Sequence, residues 1–201
     1  MDIKPIETVY NGYRFRSRLE ARWAVFFDAA GIKYQYEPEG FEFGDGIKYL
    51  PDFYLPDFKI HVEIKPSREL DDGKAEKFAF SMITGGVLVC YGDPMNRNLR
   101  FITGHECDWG GGGCFDSDWG DIVVAFTEHL DGSGPCLYVD YGKGEADFYK
   151  ASRVYTEYTG CGVLDDINNQ YSDIRKAEVK ARQARFEHDE TPQIRRVSYG
   201  A

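Results

Sequence analysis

The sequence predicts an α/β fold in the order α-β-β-β-α-β, followed by a loop-rich C-terminal extension. Three observations predict it: an amphipathic helix near the N-terminus, a run of short strand-like segments behind it, and a second amphipathic helix that leads into an apolar strand. Ser17 opens the first helix, because Leu19, Trp23, Phe26, Phe27 and Ala30 recur on one face at helical spacing and Gly31 stops it. Ile32–Tyr36, Phe41–Phe43, Tyr49–Leu55 and Lys59–Lys65 read as strands separated by Pro, Gly and Asp. After Asp71-Asp72 the spacing predicts a helix carrying Ala75, Phe78, Ala79, Met82 and Ile83 on one side, ended by Gly85-Gly86. Val87–Tyr91 is an apolar run suited to a buried strand.

Beyond residue 103 the composition changes. Residues 104–166 hold 12 of the 22 glycines, including the run Gly110 to Gly113, which reads as incompatible with a regular element. Ile122–Phe126 and Leu137–Tyr141 are expected to form strands of a small sheet, and Ile167 to about Glu187 a helix rich in Arg and Lys. The expected organisation is a core over residues 1–103, an acidic glycine-rich appendage over 104–166 and a basic helix with tail over 167–201.

With 42% hydrophobic residues, 14 Tyr, 14 Phe and 3 Trp, the 201 residues contain ample core material, so global disorder is not expected. No run approaches the ~18 apolar residues of a membrane span, and the charged N-terminus lacks the apolar stretch of a signal peptide. The reading is a soluble cytoplasmic protein with no membrane partner. Five cysteines at irregular spacing suit reduced thiols better than a disulfide framework. The net charge of −10 argues against a polyanion as partner until it is divided by segment. Residues 1–103 carry 14 Lys and Arg against 16 Asp and Glu, whereas residues 104–166 carry 3 against 13. A nearly neutral N-terminal half can still present a basic groove to phosphate.

The chemistry concentrates on Lys59–Lys65. Strand alternation puts Ile60, Val62 and Ile64 on one face and His61, Glu63 and Lys65 on the other. One strand earlier, Pro51-Asp52-Phe53 sets a carboxylate within an apolar, aromatic run. A hairpin around Leu55-Pro56-Asp57-Phe58 would bring Asp52 and Glu63 together as ligands of one hard divalent cation, magnesium or manganese. Phosphodiester hydrolysis needs an activated nucleophile and neutralisation of charge on the phosphate oxygens. Asp52 and Glu63 would hold the cation, and Lys65 would orient water or stabilise the transition state.

Pro51-Asp52 followed, ten residues of spacer later, by Glu63-Ile64-Lys65 resembles the PD-(D/E)XK nuclease superfamily. The resemblance covers roughly residues 10–93. It implies a restriction-endonuclease-like fold with a central mixed sheet flanked by helices, the aspartate on the second core strand and the ExK on the third. It also implies that Glu20 on the first helix joins Asp52 and Glu63 at the metal and counts with Lys65 among the catalytic residues. The rival for Glu20 is a capping box, since Ser17-x-x-Glu20 fits one. The Gln- or Tyr-bearing second-helix motif of exonuclease branches is not evident. The expected activity is therefore metal-dependent endonucleolytic cleavage of DNA, duplex or branched, leaving a 5′-phosphate, with homodimerisation because two strands need two sites. Ala181–His188 resembles the tail of nuclease-like proteins of phages and actinobacteria, which points to phage or mobile-element DNA processing, or defence, in a bacterial cell. Two alternatives stand beside this: a nuclease-fold module without turnover that binds nucleic acid or a protein, and a nuclease of RNA or branched junctions.

His61 shares the face of Glu63 but stays outside the catalytic set, as a lone strand histidine is usually structural. His105, Cys107, Cys114 and Cys136 invite a zinc site, yet Cys107 and Cys114 lack paired CxxC spacing, so loop cysteines are the simpler reading. Arg175, Lys176, Lys180, Arg182 and Arg185 on the C-terminal helix suit a phosphate backbone or a solvated face equally well.

Overall fold

The computed structural model describes residues 5–81, 83–107, 111–116, 123–128, 134–140, 154–157 and 172–186. A central six-stranded sheet is built from β3 (Gln35–Tyr36), β6 (Phe53–Leu55), β7 (Ile60–Lys65), β8 (Val87–Tyr91), β9 (Asn98–Cys107) and β10 (Gly111–Asp116), in the spatial order β10-β9-β8-β7-β6-β3. Only the β7–β8 pair is parallel, so the sheet is mixed. The parallel crossover runs through α2 (Gly73–Phe80). Smaller pairs flank this sheet: β1 (Thr8–Tyr10) with β2 (Tyr13–Phe15), and β4 (Phe41–Glu42) with β5 (Lys48–Tyr49). A separate three-stranded sheet joins β11 (Val123–Glu128), β12 (Pro135–Asp140) and β13 (Val154–Glu157).

Alternation along the strands divides the core. Leu88 and Cys90 join Ile60, Val62 and Ile64 in the cluster with α1 (Arg18–Ala29), while Val87, Val89 and Tyr91 pack with Ala75, Phe78 and Ala79 of α2. Helices thus cover both faces. Ser17 caps α1 as expected, and Trp23 ties the helix to the end of β8 by donating from Nε1 to the Gly92 carbonyl at 2.9 Å. The C-terminal helix, α3 (Ser172–Gln183), buries Ile174, Ala177 and Ala181 in the α1 cluster, which also takes in Val124, Phe126 and Leu137. Glu178 of α3 is 3% exposed and accepts two bonds from Arg97, at 2.6 and 3.1 Å, plus one from Arg175 at 3.0 Å. None of the described helices is long and apolar enough to cross a membrane.

Several expectations shift. The hairpin Thr8–Phe15 precedes the first helix; its turn is Asn11-Gly12, both at positive φ (47° and 82°), a conformation that Asn-Gly adopts readily. The second helix ends at Phe80, and Ile83 is 66% exposed, so the buried face stops a turn short of the glycines; Met82 lies outside the described residues. The junction expected after residue 103 lies inside β9. Gly104 there lets the strand cross α2, because a Cβ would sit 2.6 Å from the Ala79 carbonyl. Gly111 to Gly113 open a strand rather than a loop, with a register irregularity where they pair with β9: long-range pairing overrides the poor strand propensity of glycine. Gly110, Ile122, Tyr141, residues 167–171 and Glu187 lie outside the described residues.

Candidate active site

The turn after Leu55 returns the chain tightly, with Phe58 and Lys59 both donating to the Leu55 carbonyl and Lys59 at φ 56°. The resulting register pairs Phe53 with Val62, Tyr54 with His61 and Leu55 with Ile60. One step further along it, Asp52 stands opposite Glu63. Asp52 is 5% exposed; its Oδ2 accepts from the Ile64 amide at 2.7 Å and its Oδ1 from Arg16 Nη2 at 2.7 Å. Burial, then repulsion from Glu63 and, less, from Glu20, pushes its carboxyl up to about 8, against the pull of the Ile64 amide and Arg16. Glu63 is raised as well, chiefly by burial, despite a bond from the Tyr49 hydroxyl at 3.0 Å and the nearby charge of Lys65. Two acids are thus held together at the edge of the core in an arrangement that disfavours both being charged.

Lys65 is 8% exposed and lies on the same face as Glu63. Its ammonium donates to Asp72 Oδ1 at 2.6 Å and to the Asp71 carbonyl, both at the entrance to α2. Asp72 also accepts from the Tyr91 hydroxyl and from Arg100 Nη1 at 2.8 Å, and Arg100 reaches Glu76 at 2.8 Å. Burial works against the Asp72 charge, yet the bonds from Lys65, Tyr91 and Arg100 hold its carboxyl below the usual range.

Glu63 and Lys65 line a cleft of about 600 Å³ with Arg16, Lys48 and Lys74 on its walls and Leu50 and Leu70 among its apolar lining. Four cationic side chains face two acids there, Glu63 and Asp71, so the cleft is locally basic in a protein whose net charge is −10. Lys74 spans part of it, donating to the Lys48 carbonyl at 3.3 Å.

Glu20 is buried, with its oxygens spent on its own helix end and on Tyr36 of β3. Oε1 accepts from Ser17 Oγ at 2.7 Å; Oε2 accepts from Tyr36 Oη at 2.6 Å and the Arg16 amide at 3.1 Å. Together with the Glu20 amide donating to Ser17 Oγ at 3.2 Å, this is the capping alternative in substance, reaching the residue before the cap. Among the described residues, no three His, Cys, Asp or Glu side chains are grouped closely enough to hold a metal ion. The structure therefore brings Asp52 and Glu63 side by side with Lys65 next to them, and holds Glu20 in its capping bonds, near enough for its charge to act on Asp52 and Arg16.

His61 lies on the same face of β7 but takes up other partners. It is 5% exposed, boxed by Phe41, Tyr54 and Phe78, and bonded through Nδ1 to Thr84 Oγ1 at 2.9 Å; burial lowers its pKa to about 4. Of the zinc candidates, Cys136 is buried, and the side chains of His105, Cys107 and Cys114 lie outside the described residues. The basic helix lines a different groove, about 660 Å³, between α1, α3 and the first hairpin, where Arg175 and Lys176 already pair with Glu178 and Asp173.

Sequence reasoning missed Arg16, Tyr49, Asp72, Tyr91 and Arg100. Asp72 carried a weak signal as one of two acids before a helix; the others lie at separations that only the sheet order brings together. The chain matches no protein-family model, and a comparison with curated proteins gives no significant match.

Proposed function

We propose that this protein is a divalent-cation-dependent nuclease with a restriction-endonuclease-like core, an endonuclease that hydrolyses DNA phosphodiesters in phage or mobile-element DNA processing or in defence. The observation that carries the reading is the register of β6 and β7, which puts Asp52 across from Glu63 with Lys65 on the same face, beside a cleft rimmed by Arg16, Lys48 and Lys74. Acids seated next to each other at the wall of a basic cleft, Glu63 lining it and Asp52 just behind Arg16, make sense if a cation and a polyanion are meant to meet there.

The donor set fits magnesium or manganese. Magnesium commonly takes one or two carboxylates and completes its shell with water and substrate oxygens. Asp52 and Glu63 would hold the ion; Glu20, committed to its cap, adds nothing the pair requires. A bound ion would supply Lewis-acid stabilisation of charge on the phosphoryl oxygens. Lys65 spends two of its three N–H donors on Asp71 and Asp72, which fixes the ammonium beside Glu63 and leaves one donor for water or a phosphoryl oxygen. Tyr49 orients Glu63 from the opposite wall. Arg16, Lys48 and Lys74 neutralise phosphates entering the cleft.

One observation favours a second reading, a binding module without turnover: Arg16 and Lys65 are both already engaged in ion pairs with acids of the fold. A cleavage assay separates the two. Purified protein with magnesium or manganese nicks supercoiled plasmid, and EDTA stops it. Inertness toward duplex, single-stranded, junction and RNA substrates alike overturns the nuclease in favour of the module.

A further inference from the structure

Among the described residues Arg16 is the cation paired with Asp52, and it stands between that acid and the open cleft. Its side chain is 55% exposed where that of Asp52 is 7% exposed, and Arg16, not Asp52, lines the cleft. Nη2 lies 2.7 Å from Asp52 Oδ1, and Nε lies 2.7 Å from Glu37 Oε1. The residue sits between β2 and the Ser17 cap, with its own amide held by Glu20 and Tyr36, so the backbone is anchored while the long side chain reaches across to Asp52 and Glu37.

Glu37 is the second half of the arrangement. It adopts φ 44°, a left-handed conformation that a non-glycine residue rarely takes, and it stands immediately before Pro38. Its amide donates to the Asp52 carbonyl at 2.9 Å, which fixes it next to the site. A strained backbone beside a cluster of acids that gives a guanidinium a second anchor is the kind of outlier that functional sites retain.

We propose that Arg16 is a built-in counter-ion of the acid pair, which a divalent cation displaces on binding, and that Glu37 retains the released guanidinium at the cleft wall. This rests on the reading of Asp52 and Glu63 as the metal-holding pair. The exchange is one of ion pairs: the contact from Nη2 to Asp52 Oδ1 breaks, a cation takes that oxygen, and Nε stays with Glu37. Arg16 is a positioning residue in this scheme, setting how readily the site loads.

The test uses the full-length protein and manganese alone, with binding read by titration calorimetry or by the free-manganese electron-spin resonance signal, without nucleic acid. Arg16→Gln removes the competitor and tightens manganese binding roughly fivefold, as expected for losing one half-exposed ion pair. Glu37→Gln removes the alternative anchor, leaves Arg16 on Asp52 and weakens binding. A role confined to structure would shift both affinities the same way, and circular dichroism confirms that both variants are folded. Unchanged or weaker binding in folded Arg16→Gln, with wild-type binding abolished by Asp52→Asn, overturns the counter-ion while leaving the metal site intact. Binding that Asp52→Asn does not alter, or no binding in any variant, removes the acid pair as the metal site and the counter-ion with it.

Discussion

The two ends of one strand make an instructive contrast. His61, Glu63 and Lys65 share a face of β7, yet among the described residues the His61 ring meets aromatic rings and a threonine, whereas Glu63 and Lys65 meet charges and an open cleft. All three are substantially buried. What separates them is the source of their partners: His61 is satisfied once by a neutral hydroxyl, while Glu63 faces a second acid and Lys65 leads into a network of Asp72, Tyr91 and Arg100. Burial of a polar group is ordinary; burial of like charges together is not, and it marks where chemistry is to be sought.

The contrast breaks most easily at the acid pair. Asp52→Asn and Glu63→Gln are each expected to lower metal-dependent cleavage by ~10³-fold or more while the fold persists, checked by plasmid-nicking rates alongside circular dichroism. Lys65→Met comes next. It should reduce cleavage by ~10²-fold and lower stability by about 2 kcal/mol in urea unfolding, less than a fully orphaned charge would cost, because Asp72 keeps Tyr91 and Arg100.

A smaller effect follows from the Asp52 carboxyl, whose folded-state value of about 8 stands above its ordinary 3.8. The acid pair binds a proton more tightly in the folded protein than in the unfolded chain, so this contribution is full below about 4 and lost as pH rises through about 8. Without metal, the melting temperature should fall between pH 5 and pH 9, a range of about that width, and Asp52→Asn should flatten the slope. The smallest change is expected at the other end of the strand: His61→Phe keeps cleavage within about threefold, with stability altered by no more than about 1–2 kcal/mol, since Thr84 retains its bond to the Gly86 carbonyl. A large loss of cleavage in that variant would erase the distinction between the two ends.

Local periodicity made the middle of the fold legible. Trp23, Phe26 and Phe27 at helical spacing, and Ile60, Val62 and Ile64 at strand spacing, describe faces that are buried as their patterns imply. Asp52 and Glu63 could be paired on paper because a tight turn at Pro56 leaves few registers. Arg16 and Arg100 could not, as they lie 36 and 28 residues from the acids they bind and no local pattern carries such distances. The glycines at 111 to 113 misled for the same reason: their propensity is local, whereas their pairing with β9 belongs to the sheet. Glu20 shows the opposite case, where a motif of four residues competes with a site for one side chain and the nearer partners hold it.

The clamp of Arg97 on Glu178 spans 81 residues and closes α3 over Phe26 and its neighbours, which Phe126 also covers at a ring separation of 5.4 Å. A chain emerging from the ribosome therefore cannot seal the hydrophobic side of its first hundred residues until Ser172–Gln183 has been synthesised. Trimming the protein at residue 103 would cut through β9 and yield a sticky, unfinished sheet rather than a folded fragment.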